Sequence, residues 1–201
     1  MIRERIIFVL ASASPRRFQL LDQIGMRPDE VIAAAIDETP RPRELPRLYV
    51  ERMALEKVAA VHAGLPQALA AKALVLAADT VVACGRRILP KAEDDATVTK
   101  CLKMLSGRRH DVLTAIASID PAGALRTRTV STKVAFRRLD DAEIASYVGN
   151  GEGLGKAGGY ALQGRAAVFA RSINGSYTNA VGLPLVETHS LLRACGVQAT
   201  C

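Results

Sequence analysis

The chain has 201 residues, 49% hydrophobic and 23% charged, which provides for one full core and excludes a disordered polyelectrolyte. Its net charge of +7 favours anionic ligands, whereas 4% aromatic residues and no tryptophan leave little for the stacking platforms of single-strand nucleic-acid binders. Four cysteines without C-x-x-C spacing argue against zinc and fit a reducing compartment, and with no membrane-length apolar run and no secretory pattern in residues 1–10 a cytoplasmic protein is expected.

The apolar run 6–11 reads as a buried parallel strand, followed by a helix over 15–24 with Pro15 in its first turn, Ser14 at its N-cap and Gly25 as its stop. A second strand is predicted over 31–36, ending on Asp37 and Glu38, then a Pro- and Arg-rich loop over 39–44. Pro46 opens a long helix to about residue 63, with an apolar side built from Leu48, Met53, Leu55, Val58 and Val61. Residues 65–72 read as a short exposed connection, and 73–78 as a third, wholly apolar strand ending at Asp79-Thr80. A small hairpin follows over 81–89, turning near Gly85, and then a helix over 94–105 that stops at Gly107. The segments 111–119 and 125–136 flank Asp120-Pro121-Ala122-Gly123 and should pair as a long hairpin. A short helix over 140–147, an irregular glycine-rich stretch over 149–164, a strand over 166–173, a turn at Asn174-Gly175 and a closing helix over 184–194 complete the series. Alternating strands and helices followed by a strand-rich half make this an α/β chain.

Three places carry unusual chemistry. The Ser12–Arg17 turn combines small residues, a helix start and two guanidiniums, a combination suited to a phosphate chain; a capped helix with two solvated arginines is the simpler alternative. Asp79 stands at the expected carboxyl end of an apolar strand, where open α/β sheets bind their ligands and where a carboxylate is less costly than inside the sheet. Its bland alternative is a turn cap. The third is Lys156-Ala157-Gly158-Gly159-Tyr160-Ala161-Leu162-Gln163-Gly164, whose glycines allow close backbone approach and whose Gln163 can read an amide-like base edge; composition alone describes a flexible loop. Lys57 lies among apolar neighbours in the long helix, and Lys91 lies between the hairpin and the next helix. Glu38 and Asp79, at two neighbouring strand ends amid basic residues, would suit a magnesium–polyphosphate site. His62, His110 and His189 are too scattered for a catalytic group and read as surface or packing residues.

Taken together, Leu10–Arg17, Ala78-Asp79-Thr80-Val81, the Leu105–Thr114 segment with Ser106-Gly107-Arg108-Arg109, the Lys156–Gly164 segment, and Asn174-Gly175-Ser176-Tyr177-Thr178-Asn179 running on to Pro184 resemble the Maf family of nucleoside triphosphate pyrophosphatases, once described as septum-formation inhibitors. The resemblance spans about residues 7 to 195. It implies one domain over 1–201 with a two-lobed α/β fold, a mixed sheet flanked by helices around a central cleft, similar to that of inosine triphosphatases. It also implies a divalent metal, magnesium or manganese, and pyrophosphate as a product. On matching positions it makes Asp79 the catalytic carboxylate, sets base specificity at Arg16, Thr80 and Gln163, and puts Ser12, Arg17, Glu38, Lys57 and Lys91 at polar cleft positions; Glu38 and Asp79 are the expected metal ligands. One departure is Pro90-Lys91-Ala92, where the family has Gly-Lys-Pro.

The Gln163 pattern resembles the branch that hydrolyses dTTP and UTP. The 7-methyl-GTP branch carries a nearby glutamate, which better matches a donor-rich purine edge. The expected partner is thus a nucleoside triphosphate, with no stable nucleic-acid or membrane partner and a homodimer left open. The rivals are a 7-methyl-GTP pyrophosphatase, a nucleotide-sensing regulator of cell division, and a nucleic-acid binder suggested by charge alone.

Overall fold

The structure, a computed structural model, describes residues 5–199, so residues 1–4 and Cys201 of the sequence reading lie outside it. The apolar run forms β1 (Ile7–Ala11), and the chain turns through Ser12 into α1 (Pro15–Gln23). Ser14 occupies the N-cap position, but its side chain makes no capping bond. Asp29 accepts from the Phe8 amide, and only Glu30–Val31 pair with β1 as β2.

The strand expected over 31–36 is therefore a correction. Ile32 still donates to the Leu10 carbonyl, but β1 then bends away into α1 and leaves the segment without a ladder partner. Ile32, Ala34 and Ile36 alternate because they pack against the core beneath α2 (Pro46–Gly64), so their period of two reports burial and no hydrogen-bonded sheet. The connection after α2 contains a short helix, α3 (Gln67–Ala70).

β3 (Ala73–Cys84) is twice as long as the apolar run suggested. It pairs with β1 in parallel over Ala73–Ala77, with β5 (Arg109–Ile119) antiparallel over Val75–Ala83, and with β4 (Arg87–Leu89) from Val82 onward. On the β1 side the strand therefore has no partner between Ala77 and Val82, and Asp79 and Thr80 fall in this gap. The gap replaces the strand end expected at Asp79. The β3–β4 hairpin turns at Gly85, whose φ of 60° suits glycine.

Next come α4 (Asp95–Leu105), capped by Asp94 on the Thr97 amide, and β6 (Leu125–Phe136), which pairs with β5 along its whole length. α5 (Asp141–Gly149) begins with a reciprocal capping box between Asp140 and Glu143. The last predicted strand splits into a 3-10 turn, Arg165–Phe169, and β7 (Ala170–Asn174), followed by α6 (Tyr177–Val181) and α7 (Leu185–Ala194). The sheet has seven strands in the order β2-β1-β3-β5-β6-β7, with β4 on β3.

The two faces of β3 serve different cores. Val75, Ala77, Val81 and Ala83 pack with α2, whereas Leu74, Leu76 and Ala78 pack with Leu20, Leu21 and Leu192 of α1 and α7. A third cluster gathers α4, α5, Tyr160 and Phe169 around Val82 and Phe136. The central cleft opens where these three cores meet.

Candidate active site

Strand alternation points Asp79 to the α2 face and Thr80 to the α1 face. Asp79 is only 6% exposed, in a position where an unpaired carboxylate would be costly. The compensating charge comes from Lys57, seven per cent exposed on α2, whose Nζ donates to Asp79 Oδ1 at 2.6 Å. The same ammonium lies 2.9 Å from Glu38 Oε1, so one lysine joins two carboxylates remote in sequence. Tyr49, which sequence reasoning missed, donates its hydroxyl to the Glu38 carbonyl at 2.9 Å and fixes that loop on α2. Burial raises the carboxyl pKa of Asp79, and the charges of Lys57 and Arg17 oppose the rise.

On the other face, Arg17 is buried and has a protein partner on each of its three nitrogens. Nε donates to the Gly182 carbonyl at 3.0 Å, Nη1 to Ser12 Oγ at 3.0 Å and Nη2 to Thr80 Oγ1 at 3.1 Å. Burial lowers its pKa, and Asp79 works against that. Arg16, one residue earlier, is half-buried and faces the cleft, and burial lowers its pKa too.

The cleft has a volume of about 950 Å³, ample for a nucleotide. Ser12, Arg16, Arg17, Glu38, Lys57, Asp79, Thr80 and Lys91 all line it. Lys156, the first residue of the glycine-rich motif, lines it as well, and so do Arg41, Arg43 and Arg86, which were not singled out as site residues; basic groups in loops carry no periodic signal that would mark them. Gln163 is exposed and is not among the lining residues, although Lys156, Ala157 and Tyr160 of its segment are.

A family profile described as Maf-like protein matches residues 7–195. The chain belongs to the Maf family. A protein of Rhodospirillum rubrum named dTTP/UTP pyrophosphatase is 57% identical over 188 residues, which is 94% of this chain and 87% of that one. One of the same name from Caulobacter vibrioides is 56% identical over 188 residues, 94% of this chain and 95% of that one. Among solved structures, the Staphylococcus aureus Ham1 protein aligns with a TM-score of 0.45 and 19% identity, covering 64% of this chain and 71% of that one.

Within this Maf chain the replaced motif Pro90-Lys91-Ala92 keeps a defined backbone. Lys91 forms an isolated bridge with Ala157, the Ala92 amide donates to Lys156 O at 3.0 Å, and Gly158 N donates to Pro90 O at 3.0 Å. This clip brings Lys91 and Lys156 together. Burial, then the charges of Arg16 and Lys91, pull the Lys156 ammonium below the usual lysine range. Glu152 opposes that fall, and the clip sets Lys91 and Lys156 side by side in the cleft lining.

Glu38 and Asp79 offer two carboxylates, and among the described residues no group of three or more His, Cys, Asp or Glu converges. That donor set fits a hard divalent cation completed by substrate phosphates and would not cage one by itself. His110 is a packing residue, as its isolation in sequence suggested: it is 2% exposed, 2.8 Å from the Tyr160 hydroxyl and edge-on to Phe136, and burial lowers its pKa to about 4.

Proposed function

We propose that this Maf protein hydrolyses dTTP and UTP to the nucleoside monophosphate and pyrophosphate. The observation that carries the reading is the buried Asp79 carboxylate, held by Lys57 at 2.6 Å in a cleft rich in arginine and lysine. The base preference is supported by the names of the relatives above 50% identity.

In this reading a water oxygen attacks the α-phosphorus, and Asp79 takes a proton from that water. The new P–O bond forms as the α–β anhydride bond breaks, and pyrophosphate leaves with the bridging oxygen. A carboxyl pKa raised by burial brings Asp79 nearer to the strength a base needs at neutral pH. Arg16, Lys91 and Lys57 neutralise the triphosphate and the charge that develops on it. Glu38 and Asp79 would hold a divalent cation, magnesium or manganese, which supplies further charge neutralisation when bound. Arg16, Thr80 and Gln163 discriminate the base, Gln163 through its place in the segment that lines the cleft with Lys156 and Tyr160.

No helix among the described residues is long and apolar enough to cross a membrane. The proposed location is the cytoplasm, where nucleoside triphosphates occur and where free thiols such as those of Cys84, Cys101 and Cys195 persist.

The test is pyrophosphate release from a panel of UTP, dTTP, CTP, GTP and 7-methyl-GTP with magnesium and with manganese. UTP and dTTP are expected to lead GTP and 7-methyl-GTP by at least about tenfold in kcat/KM, roughly 1.4 kcal/mol in the transition state. A tenfold lead for 7-methyl-GTP overturns the substrate assignment, and nucleotide binding without pyrophosphate release favours the sensor reading.

A further inference from the structure

The loop between Glu38 and α2 holds a backbone outlier. Among the described residues Arg43 has φ of 60°, whereas the eleven other positive-φ positions are all glycine. The Glu44 amide donates to the Arg41 carbonyl at 3.0 Å and closes a turn with Pro42 and Arg43 at its centre. Proline fixes its own φ near about −65°, so this is a type II turn, whose third residue is ordinarily glycine or asparagine. A long side chain there carries a steric cost that glycine would avoid. Neighbouring contacts keep the turn from relaxing. The Glu44 carboxylate accepts from the Arg41 amide at 2.8 Å and from Arg52 Nε and Nη2, each at 2.7 Å. Arg52 Nη2 also donates to the Thr39 carbonyl at 3.2 Å.

The side chain mounted on this turn is unpaired. Arg41 meets Glu56 at 3.5 Å, but the Arg43 guanidinium makes no ion pair or hydrogen bond with any described residue. It is exposed and lines the cleft. Its place in the cleft is on the reacting side. Lys57 joins Asp79 and Glu38 there, and Arg43 follows Glu38 on the same loop. Arg16 and Lys91 group instead with Lys156. With the α-phosphorus at Asp79 and the base toward Thr80 and the Lys156 segment, the phosphates that leave extend toward the Glu38 loop.

We propose that Arg43 is a substrate-binding residue for the terminal phosphates of the nucleotide, the pair that departs as pyrophosphate. Its planar guanidinium presents paired N–H donors to phosphate oxygens and offsets the charge that gathers on the leaving group as the α–β anhydride bond breaks. The anchored turn holds the arginine backbone in place before the anion arrives, so less freedom is lost on binding. The inference rests on the dTTP/UTP reading and extends it to the leaving group.

The test is calorimetric binding of inorganic pyrophosphate and of UMP, each with magnesium, to the full chain and to Arg43→Asn. Asparagine tolerates positive φ and removes the charge. Pyrophosphate should bind about tenfold more weakly to the variant, the worth of one charge-assisted hydrogen bond at a solvated site, and UMP within about twofold of the wild type. Arg43→Lys keeps the charge without the fork and should lose less than Arg43→Asn. Arg128→Asn, which removes the same charge from β6 outside the cleft lining, should leave both affinities within about twofold. Relief of the steric cost should keep the Tm of Arg43→Asn at or above that of the wild type.

Unchanged pyrophosphate binding in Arg43→Asn, no pyrophosphate binding by the wild type, equal losses for pyrophosphate and UMP, or the same loss in Arg128→Asn overturns the proposal. So does a Tm of Arg43→Asn lower by more than about 3 °C, which would mark a structural role for the side chain. Pyrophosphate release from UTP is followed in parallel. If the wild type releases none, the pyrophosphatase reading has failed, and the contrast between pyrophosphate and UMP still decides where Arg43 acts.

Discussion

Replacing Asp79 by asparagine tests the centre of the proposed chemistry with the least structural disturbance. The two side chains have the same shape, so the buried pocket is not emptied. Removing one partner of a buried ion pair ordinarily costs about 3–5 kcal/mol because the other charge is stranded. Here Lys57 keeps Glu38 at 2.9 Å, and the variant sheds a carboxylate whose burial is itself unfavourable. The stability loss should therefore fall well below that range, on the order of 1 kcal/mol, and Tm should move by only a few degrees. Turnover, by contrast, loses its base. A reduction of about 10²–10⁴ in kcat is expected, roughly 2.7–5.4 kcal/mol of barrier. The assay is pyrophosphate release under saturating dTTP, paired with calorimetric binding of the same nucleotide and a urea unfolding curve. A folded Asp79→Asn protein retaining a third or more of wild-type kcat would refute the base assignment.

Lys57→Met should behave oppositely in stability. It leaves the buried Asp79 carboxylate without its cation, costs about 3–5 kcal/mol in urea unfolding, and moves the acidic limb of the pH–rate profile upward, since a lost positive neighbour favours the protonated carboxyl. An unmoved limb would separate Lys57 from Asp79. His110 has a folded pKa of about 4 against an unfolded value near 6.5, so the unfolded state binds the proton first; stability is intact above about pH 6.5 and declines as pH falls toward 4, by on the order of 3 kcal/mol, and His110→Gln should flatten that decline. Gly158→Ala should weaken the clip that brings Lys156 beside Lys91, because the position has φ of 67° and a new Cβ would stand 2.8 Å from Val82 Cγ1. A loss of about 1–3 kcal/mol with a raised KM for dTTP is expected, and an unchanged KM in a destabilised protein would detach the clip from nucleotide binding.

Several elements were legible because their signals are local. The strand–turn–helix of residues 7–23, the long helix opened by Pro46, the Gly85 hairpin and the short helix that begins after Asp140 are each set by a few adjacent residues. The reading of 31–36 as a strand failed because alternation reports which side is buried, whereas a strand also needs a neighbour, and β1 had already turned away. The extent of β3 was missed because Asp79 and Thr80 interrupt its apolar run, although the ladder to β5 continues through both. The short α6 was missed for want of length, since five residues show no helical period.

For the site, sequence alone determined the cast: a carboxylate after an apolar strand, an arginine pair at a helix start, and a motif order that belongs to the Maf family. Tertiary structure decided the roles. That Lys57 bridges Glu38 and Asp79 depends on α2 packing across β3, and no spacing along the chain encodes it. That adjacent Arg16 and Arg17 diverge, one toward the cleft and the other into bonds with Ser12, Thr80 and Gly182, depends on a turn of the chain 165 residues away. Helix starts, caps and turns are settled by neighbours within a few bonds, so they can be read from the letters. Charge pairing and proton direction are settled by whatever the fold brings within about 3 Å, so they appear only when the distant parts have met.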